Sequence, residues 1–375
     1  MKRLLLLVLM VCPFMLSAVP QADYEKEFVT TQGKKLEIDL KTGGGISIAG
    51  WDKEAVSVKG YREGRDGKEV ILEMEETSSG VSLRSHYAES RHNRNGGINL
   101  EINVPRRYDV RLETMGGGVS IENVEGRMTG KTMGGALMLS GLKGNLDLLT
   151  MGGAITLKNS DVDGNVKTMG GEVLLEDVTG DVKPSSMGGN VRQKNITRRS
   201  GEVSGSGVNI STMGGEINVD DAPQGATLST MGGPIHVHSA GRFVKAKTMG
   251  GPVTLDAVDG WIDASTMGGD VEATMTGDPS GGKRSVALTS MAGDITLSVP
   301  AGLSMDIDIE LAYTKGHEGE YTIKSDFPVK QDVSPEWERE NGSPRKIIHG
   351  TGNVAGGSNR VTIKTVNGNV TIRKM

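Results

Sequence analysis

Aliphatic residues recur at fixed positions along most of this 375-residue chain and predict short β-strands. Four residues after each of ten Met residues stands a Val, Leu or Ile, and the position two residues further is usually aliphatic again. Apolar residues at every second position are typical of a strand that buries one face. An aliphatic-x-Gly-x-aliphatic module then follows, as in residues 124–128 and 142–146. Each unit therefore predicts two short strands and two turns.

The same Met residues belong to a tetrapeptide, Thr/Ser-Met-Gly-Gly, that recurs along the chain. Seven of the nine intervals between successive copies have the same length, and the other two are longer because they contain insertions of eight and six residues. The tenth copy reads Ser-Met-Ala-Gly. Self-similarity at a fixed period is the signature of a repeat architecture. The repeated positions are Met115, Met133, Met151, Met169, Met187, Met213, Met231, Met249, Met267 and Met291.

The constant interval favours an all-β fold, a single-stranded parallel β-solenoid (β-helix) with about 18 residues per coil and capped ends. A propeller blade needs about 40 residues, and an array of hairpins would tolerate changes in length. After Met151 the module sits two residues late, yet the next Met, Met169, still follows at the common interval. The path length is thus kept while a corner shifts. The insertions, near 197–204 and 278–283, are predicted to be loops that protrude between coils.

The composition agrees with a narrow coil. The chain has 55 Gly and 19 Met, but only 4 Phe, 6 Tyr and 3 Trp. Gly disfavours helices, and a slim interior accommodates aliphatic side chains better than rings. The Gly-Gly pair is predicted to turn each corner with positive φ. The Thr before each Met is predicted to form a ladder of hydroxyls.

Three interpretations of the Met column remain open at this stage. Met is a flexible side chain that fills irregular gaps, so the preferred interpretation is a filler at a glycine-lined corner. The alternatives are an exposed apolar stripe that binds a partner and a soft-metal site of thioethers. The sequence does not decide whether the column faces inward or outward.

Residues 1–22 predict a secretory signal peptide. Lys2 and Arg3 precede an apolar run at residues 4–16, and small residues follow. Cleavage is placed after Ala22, with Ala18 as the alternative. About 13 apolar residues are too few to span a bilayer, and the bulky residues before Cys12 argue against lipid attachment. The mature chain is therefore expected in the periplasm or at the cell surface.

Charge and cysteine content exclude several classes of partner and chemistry. Removing residues 1–22 takes away two positive charges, so the formal net charge falls from −5 to −7. Nucleic-acid binding needs concentrated Lys and Arg, so nucleic acid is not expected. Cys12 is the only cysteine, and the mature chain therefore has no disulfide and no cysteine metal site.

The flanks of the repeats do not follow the pattern and predict caps. The ends of a repeat array expose strand edges and an open core, so they need a different sequence. The predicted division is a signal peptide (1–22), an N-terminal β cap with degenerate coils (23–108), the repeat solenoid (109–299), and a C-terminal cap with a last coil (300–375). Residues 42–45 and 365–370 resemble diverged repeat corners.

Candidate catalytic and metal-binding chemistry is sparse. The outward column seven residues after Met mixes both charge signs, which is typical of a solvated face and not of an acid/base pair. His236 and His238 share one face but lack a third predicted ligand. Residues 277–285 resemble a phosphate-binding loop, but Arg284 occupies the required Ser/Thr position and no helix is predicted after it. No catalytic residue, cofactor or metal is predicted.

A family resemblance agrees with these features. Val104-Pro105 followed by residues 112–118, the serial Thr-Met-Gly-Gly-x-Ile-x-Leu units, and the ending at 356–361 and 370–372 resemble the bacterial β-strand-repeat family known as putative adhesins. The chain is also similar to the auto-transporter adhesin head domain. Met stands where many members have Val or Asn. The resemblance implies a secreted β-solenoid at the cell envelope, and it supplies no catalytic residues.

The sequence therefore predicts an exported, non-enzymatic β-solenoid that serves as an adhesin or as a structural or binding module of the envelope. Its expected partner is a protein or glycan of the envelope or of a host surface. The alternatives are a carbohydrate-active β-helix enzyme and a periplasmic envelope-stress scaffold.

Overall fold

The computed structural model describes residues 21–89, 95–197, 207–338 and 343–375. These residues form an all-β protein, as predicted, in which thirty strands join one continuous sheet of mixed orientation. The described part contains one short helix, a 3₁₀ turn at Gly67–Glu69, and no helix in it could cross a bilayer. Most of the predicted signal peptide and most of the first insertion lie outside the described residues.

The strands fall into an N-terminal group, the repeats and a C-terminal group. The first group is β1 (Tyr24–Val29), β2 (Lys35–Leu40), β3 (Ile46–Trp51), β4 (Ala55–Gly64), β5 (Val70–Thr77), β6 (Gly80–Tyr87) and β7 (Gly96–Pro105). The repeats contain β8 (Asp109–Thr114), β9 (Val119–Glu122), β10 (Glu125–Thr132), β11 (Leu137–Ser140), β12 (Lys143–Thr150), β13 (Ile155–Thr168), β14 (Val173–Thr179), β15 (Val182–Ser186), β16 (Val191–Thr197), β17 (Val208–Thr212), β18 (Ile217–Ala222), β19 (Ala226–Ser229), β20 (Ile235–Lys247), β21 (Val253–Thr266), β22 (Val271–Met275), β23 (Val286–Ser290) and β24 (Ile295–Val299). The last group is β25 (Met305–Thr314), β26 (Ile323–Ser325), β27 (Lys330–Val333), β28 (Arg345–Val354), β29 (Asn359–Val366) and β30 (Val370–Lys374).

Successive repeats pair in parallel with corresponding residues side by side. Leu137 pairs with Val119 on one side and with Ile155 on the other. The module after Met151, which sits two residues late and has Gly164 as its glycine, does not disturb this register. Gly144 pairs with Val162 and not with Gly164. At the second insertion β22 still pairs with β24, so the additional residues lie outside the paired positions.

The inward aliphatic positions form the core. The residues four positions after each Met expose at most 1% of their surface, and burying one such side chain contributes about 1.5–3 kcal/mol. Gln193 is the polar exception at the position two residues further. It is 3% exposed, and its Oε1 lies without a hydrogen-bond partner.

The repeated corner needs glycine for a different reason from the predicted one. Among the corner glycines only Gly117 has a φ in the left-handed region, at 89°. Elsewhere the limit is space: a Cβ on Gly153 would meet the backbone of Gly135 well inside 3.0 Å, whereas a Cβ on Gly152 would find its nearest atom at 3.6 Å. The tenth copy agrees, because Ala292 replaces only the first glycine.

The Thr column does not form the predicted ladder of hydroxyls. Thr150 Oγ1 donates to the carbonyl of Gly135 at 2.9 Å and accepts from the N–H of Gly153 at 3.2 Å. Thr168 makes the matching pair of bonds with Gly153 and Gly171. These buried hydroxyls therefore join each corner to the backbone of the preceding one, which satisfies polar groups that close packing removes from water.

The two ends contain all the antiparallel pairings among the described strands. At the N-terminal end β2 pairs in parallel with β8 and β6, and β5 then pairs antiparallel with β6. At the C-terminal end β29 pairs in parallel with β23, while β28 runs antiparallel to β25 and β27. The sheet is thus not parallel throughout, because hairpins cover strand edges that the last repeats would leave unpaired.

Candidate functional site

The corner Met residues form one column along the repeats. Their backbones hydrogen-bond from repeat to repeat: the N–H of Met151 donates to the carbonyl of Thr132 at 3.1 Å, and that of Met231 donates to the carbonyl of Met213 at 3.2 Å. Paired strands lie about 4.8 Å apart, so the column of ten extends over about 43 Å. We call these ten residues the Met stripe.

The side chains of the Met stripe face outward. Their exposed fractions range from 36% at Met151 to 61% at Met115. By contrast, Met128, Met275 and Met305 are fully buried. The Met stripe therefore does not fill the interior at the corner, which leaves an accessible row of flexible thioethers.

The two histidines acquire a carboxylate that the sequence did not assign to them. His236 Nε2 lies 2.8 Å and His238 Nδ1 3.2 Å from the same oxygen of Asp256, which belongs to the next repeat. Burial alone would raise the pKa of Asp256, but the hydrogen bonds from the two histidines outweigh it and lower this pKa. Within the described ranges no group of three His, Cys, Asp or Glu is arranged to hold a metal ion.

The outward charged column contains a ladder of ion pairs. Glu176 lies between Lys158, at 2.7 Å, and Lys194, at 3.2 Å. Hydrogen bonds from both lysines hold the pKa of Glu176 below its ordinary value. A carboxylate held ionised between two cations is unsuited to act as a general acid. Exposed pairs of this kind stabilise a fold only slightly.

An aromatic pair lies on β20 and β21, away from the Met stripe. Phe243 and Trp261 pair side by side in consecutive repeats, and their rings stack with centroids 5.0 Å apart and planes 13° apart. Beside them is a cavity of about 730 Å³, whose wall includes Arg242, Asp259 and Lys283. Sequence reasoning missed this site, although Phe243 and Trp261 stand one repeat interval apart in a chain with few aromatics.

The second insertion forms one wall of this cavity and is fixed by Arg284. The Arg284 side chain is 3% exposed. It donates to the carbonyl of Thr276 at 2.6 Å and to that of Gly281 at 2.9 Å, and it forms an ion pair with Asp259. A strand, β23, follows the loop, which agrees with the rejection of a phosphate-binding loop there.

Two solved structures align with most of the chain. A putative cell adhesion protein from Clostridium sporogenes ATCC 15579 aligns over 94% of this chain and 99% of its own, with 10% identity and a TM-score of 0.17. A putative adhesin from Bacteroides fragilis NCTC 9343 aligns over 93% and 96%, with 12% identity and a TM-score of 0.19. At these TM-scores neither alignment establishes a shared fold or a shared function. No family model matches the chain, and no curated protein matches it.

Proposed function

We propose that this chain is an exported, non-enzymatic β-solenoid that acts as an adhesin-like binding module of the cell envelope, with the Met stripe as its main contact surface. The observation that carries the proposal is the exposure of ten thioethers in one column. Contiguous exposed apolar surface marks interaction sites, and Met adapts its shape to a partner. The partner is a protein that presents an elongated apolar ridge.

The parallel register supports the solenoid part of the proposal. Corresponding strands of consecutive repeats pair with each other, as β10 does with β12 and β20 with β21. A coil of constant length keeps each corner above the last. Consecutive members of the Met stripe are therefore neighbours along the sheet, and such a row suits a partner with a regular spacing.

The charged groups support a non-enzymatic role. Glu176 is paired with two lysines, and Asp256 with two histidines. A glycoside hydrolase would instead need two carboxylates in one groove at different protonation states. Release of reducing ends from envelope polysaccharides by the purified mature chain would overturn this part of the proposal.

A surface-binding assay tests the Met stripe. Residues 23–375 are passed over immobilised collagen, fibronectin and purified envelope proteins, beside a variant with Met151→Gln, Met169→Gln and Met187→Gln. Gln keeps the length of the side chain and removes its apolar character, so we expect binding to at least one surface and at least a tenfold loss in the variant. Met138→Gln is the control, because Met138 is 57% exposed outside the stripe. Absence of binding to every surface, or full binding by the variant, would overturn the proposal.

Export and location need a separate experiment. Mass spectrometry of the protein from cell fractions should find a mature N-terminus at residue 19 or 23. Protease added to intact cells should then digest the chain if it is displayed at the surface and spare it in the periplasm. An intact residue 1 on a cytoplasmic protein would contradict export.

A further inference from the structure

The aromatic pair offers one accessible ring face. One side of the Phe243 ring packs against Gly225, where a Cβ would clash with it, and the other side stacks on Trp261. The second face of Trp261 lies under the ammonium of Lys283, 5.1 Å from the ring centroid. Lys283 is exposed, so a ligand entering the cavity can displace its ammonium and stack on the indole.

The charges around the cavity favour an anionic ligand. Arg242 and Lys283 line it together with Asp259. The charge of Asp259 is offset by its ion pair with the buried Arg284. Arg242 donates from Nη1 to Gln224 at 2.7 Å, and a guanidinium has five N–H donors. The cavity wall is therefore positive beside an aromatic face.

The backbone of Arg242 indicates that this site is built at a cost. Arg242 occupies the module position at which Gly126, Gly144 and Gly180 stand in other repeats. Those glycines have φ between 115° and 154°, and Arg242 itself lies in the left-handed region at 62°. A long side chain in that region costs about 1–3 kcal/mol and such strain clusters at ligand sites. Gly260, which pairs with Arg242 in the next repeat, has no positive φ, so the strain belongs to the residue that places a guanidinium at the cavity.

From these observations we infer that the cavity beside Trp261 binds an acidic saccharide. The apolar C–H face of a pyranose stacks on the outer face of the indole, and the sugar carboxylate pairs with Lys283 and Arg242. The Asp259 side chain accepts a hydrogen bond from a ring hydroxyl. A cavity of about 730 Å³ accommodates a short oligosaccharide. Trp261 precedes Met267 by six positions of extended chain, about 20 Å, so this site is separate from the Met stripe.

Calorimetric titration of residues 23–375 tests the site with three probes: trigalacturonate, sialyllactose and neutral maltotriose. We expect at least one acidic probe to bind at least tenfold more tightly than maltotriose. Lys283→Gln and Trp261→Leu should each weaken that binding at least fivefold, and affinity should fall as salt rises from about 50 to about 200 mM. Lys315→Gln is the matched control, because Lys315 lies over Trp337 in the same manner, 5.4 Å from its ring, and should leave the affinity unchanged.

The contrary results are equally clear. The inference is overturned if neither acidic probe binds at millimolar concentration, if maltotriose binds as tightly, or if Lys283→Gln has no effect. Lys283 lies in an exposed loop, so this variant keeps the test valid even if Trp261→Leu does not fold. The triple Met-to-Gln variant should bind the saccharide normally, which makes failure of the Met stripe proposal distinguishable from failure of this one.

Discussion

The two turning positions of the repeat obey different constraints. At the Thr-Met-Gly-Gly corner the backbones of neighbouring repeats approach so closely that the second glycine has no room for a Cβ. At the module position a Cβ on Gly144 would also meet backbone, 2.2 Å from the carbonyl oxygen of Gly126. Yet Arg242 stands at this position in another repeat, where the backbone differs: φ is 117° at Gly144 and 62° at Arg242. The corner therefore keeps one close-packed geometry in all ten copies, whereas the module position changes its backbone from repeat to repeat and acquires an aromatic pocket and an insertion.

The largest expected effect comes from adding a methyl group at the close-packed corner. Gly153→Ala should lower the free energy of unfolding by at least about 2 kcal/mol, because overpacking against a fixed backbone forces it to shift. Gly152→Ala should change it by less than about 0.5 kcal/mol, since the nearest atom is 3.6 Å away. Denaturant unfolding of both variants measures the difference. Equal losses would show that close backbone approach does not govern this corner.

Removal of the corner hydroxyl should have the next largest effect. Thr150→Val leaves the Gly135 carbonyl and the Gly153 N–H without the partner that now bridges them. Leaving buried polar groups unsatisfied costs about 1–3 kcal/mol. Thr156→Val, on the outer face of the same repeat, is the control and should change the free energy of unfolding by less than about 0.5 kcal/mol. A neutral Thr150→Val would refute the bridging role.

A smaller effect is expected at the module position. Arg242→Gly should be about 1 kcal/mol more stable than Arg242→Ala, because glycine adopts a positive φ without the penalty that a Cβ imposes. Both variants should lose acidic-saccharide binding at least fivefold. Thermal unfolding measures the difference in stability, and calorimetric titration measures the loss of saccharide binding. If the Ala variant were as stable as the Gly variant, the backbone at this position would not be strained.

The smallest effect concerns the strand face between the two corners. The pKa of Asp256 is lower in the folded chain than its ordinary value of 3.8, so its ionised form stabilises the fold above that pH. This contribution is lost as the pH falls through the folded-state pKa. Asp256→Asn should therefore be slightly less stable than the wild type at neutral pH, and the two stabilities should converge below pH 3.8. A constant difference at all pH values would contradict this assignment.

The sequence predicted the features that recur in every repeat, but it did not predict contacts that occur only once. The constant interval between Met residues predicted the strands and the side-by-side pairing of Leu137 with Ile155. Neither the exposure of Met151 nor the bonding of Thr150 could be predicted, because both depend on which atoms of the neighbouring repeats lie near the corner. The antiparallel end strands join residues whose proximity no local pattern encodes, whereas Asp256 follows His238 by one repeat interval, so their contact could have been read from the sequence.

Methionine oxidation by hydrogen peroxide tests the central claim most directly. The peroxide transfers one oxygen to each accessible thioether, giving a sulfoxide and water, and peptide mass spectrometry reads every position. We predict that the ten residues of the Met stripe and Met138 react first, while the fully buried Met128, Met275 and Met305 are protected until the chain unfolds. Protection of the Met stripe, or equal reaction of the three buried residues, would contradict an outward-facing stripe on a close-packed repeat.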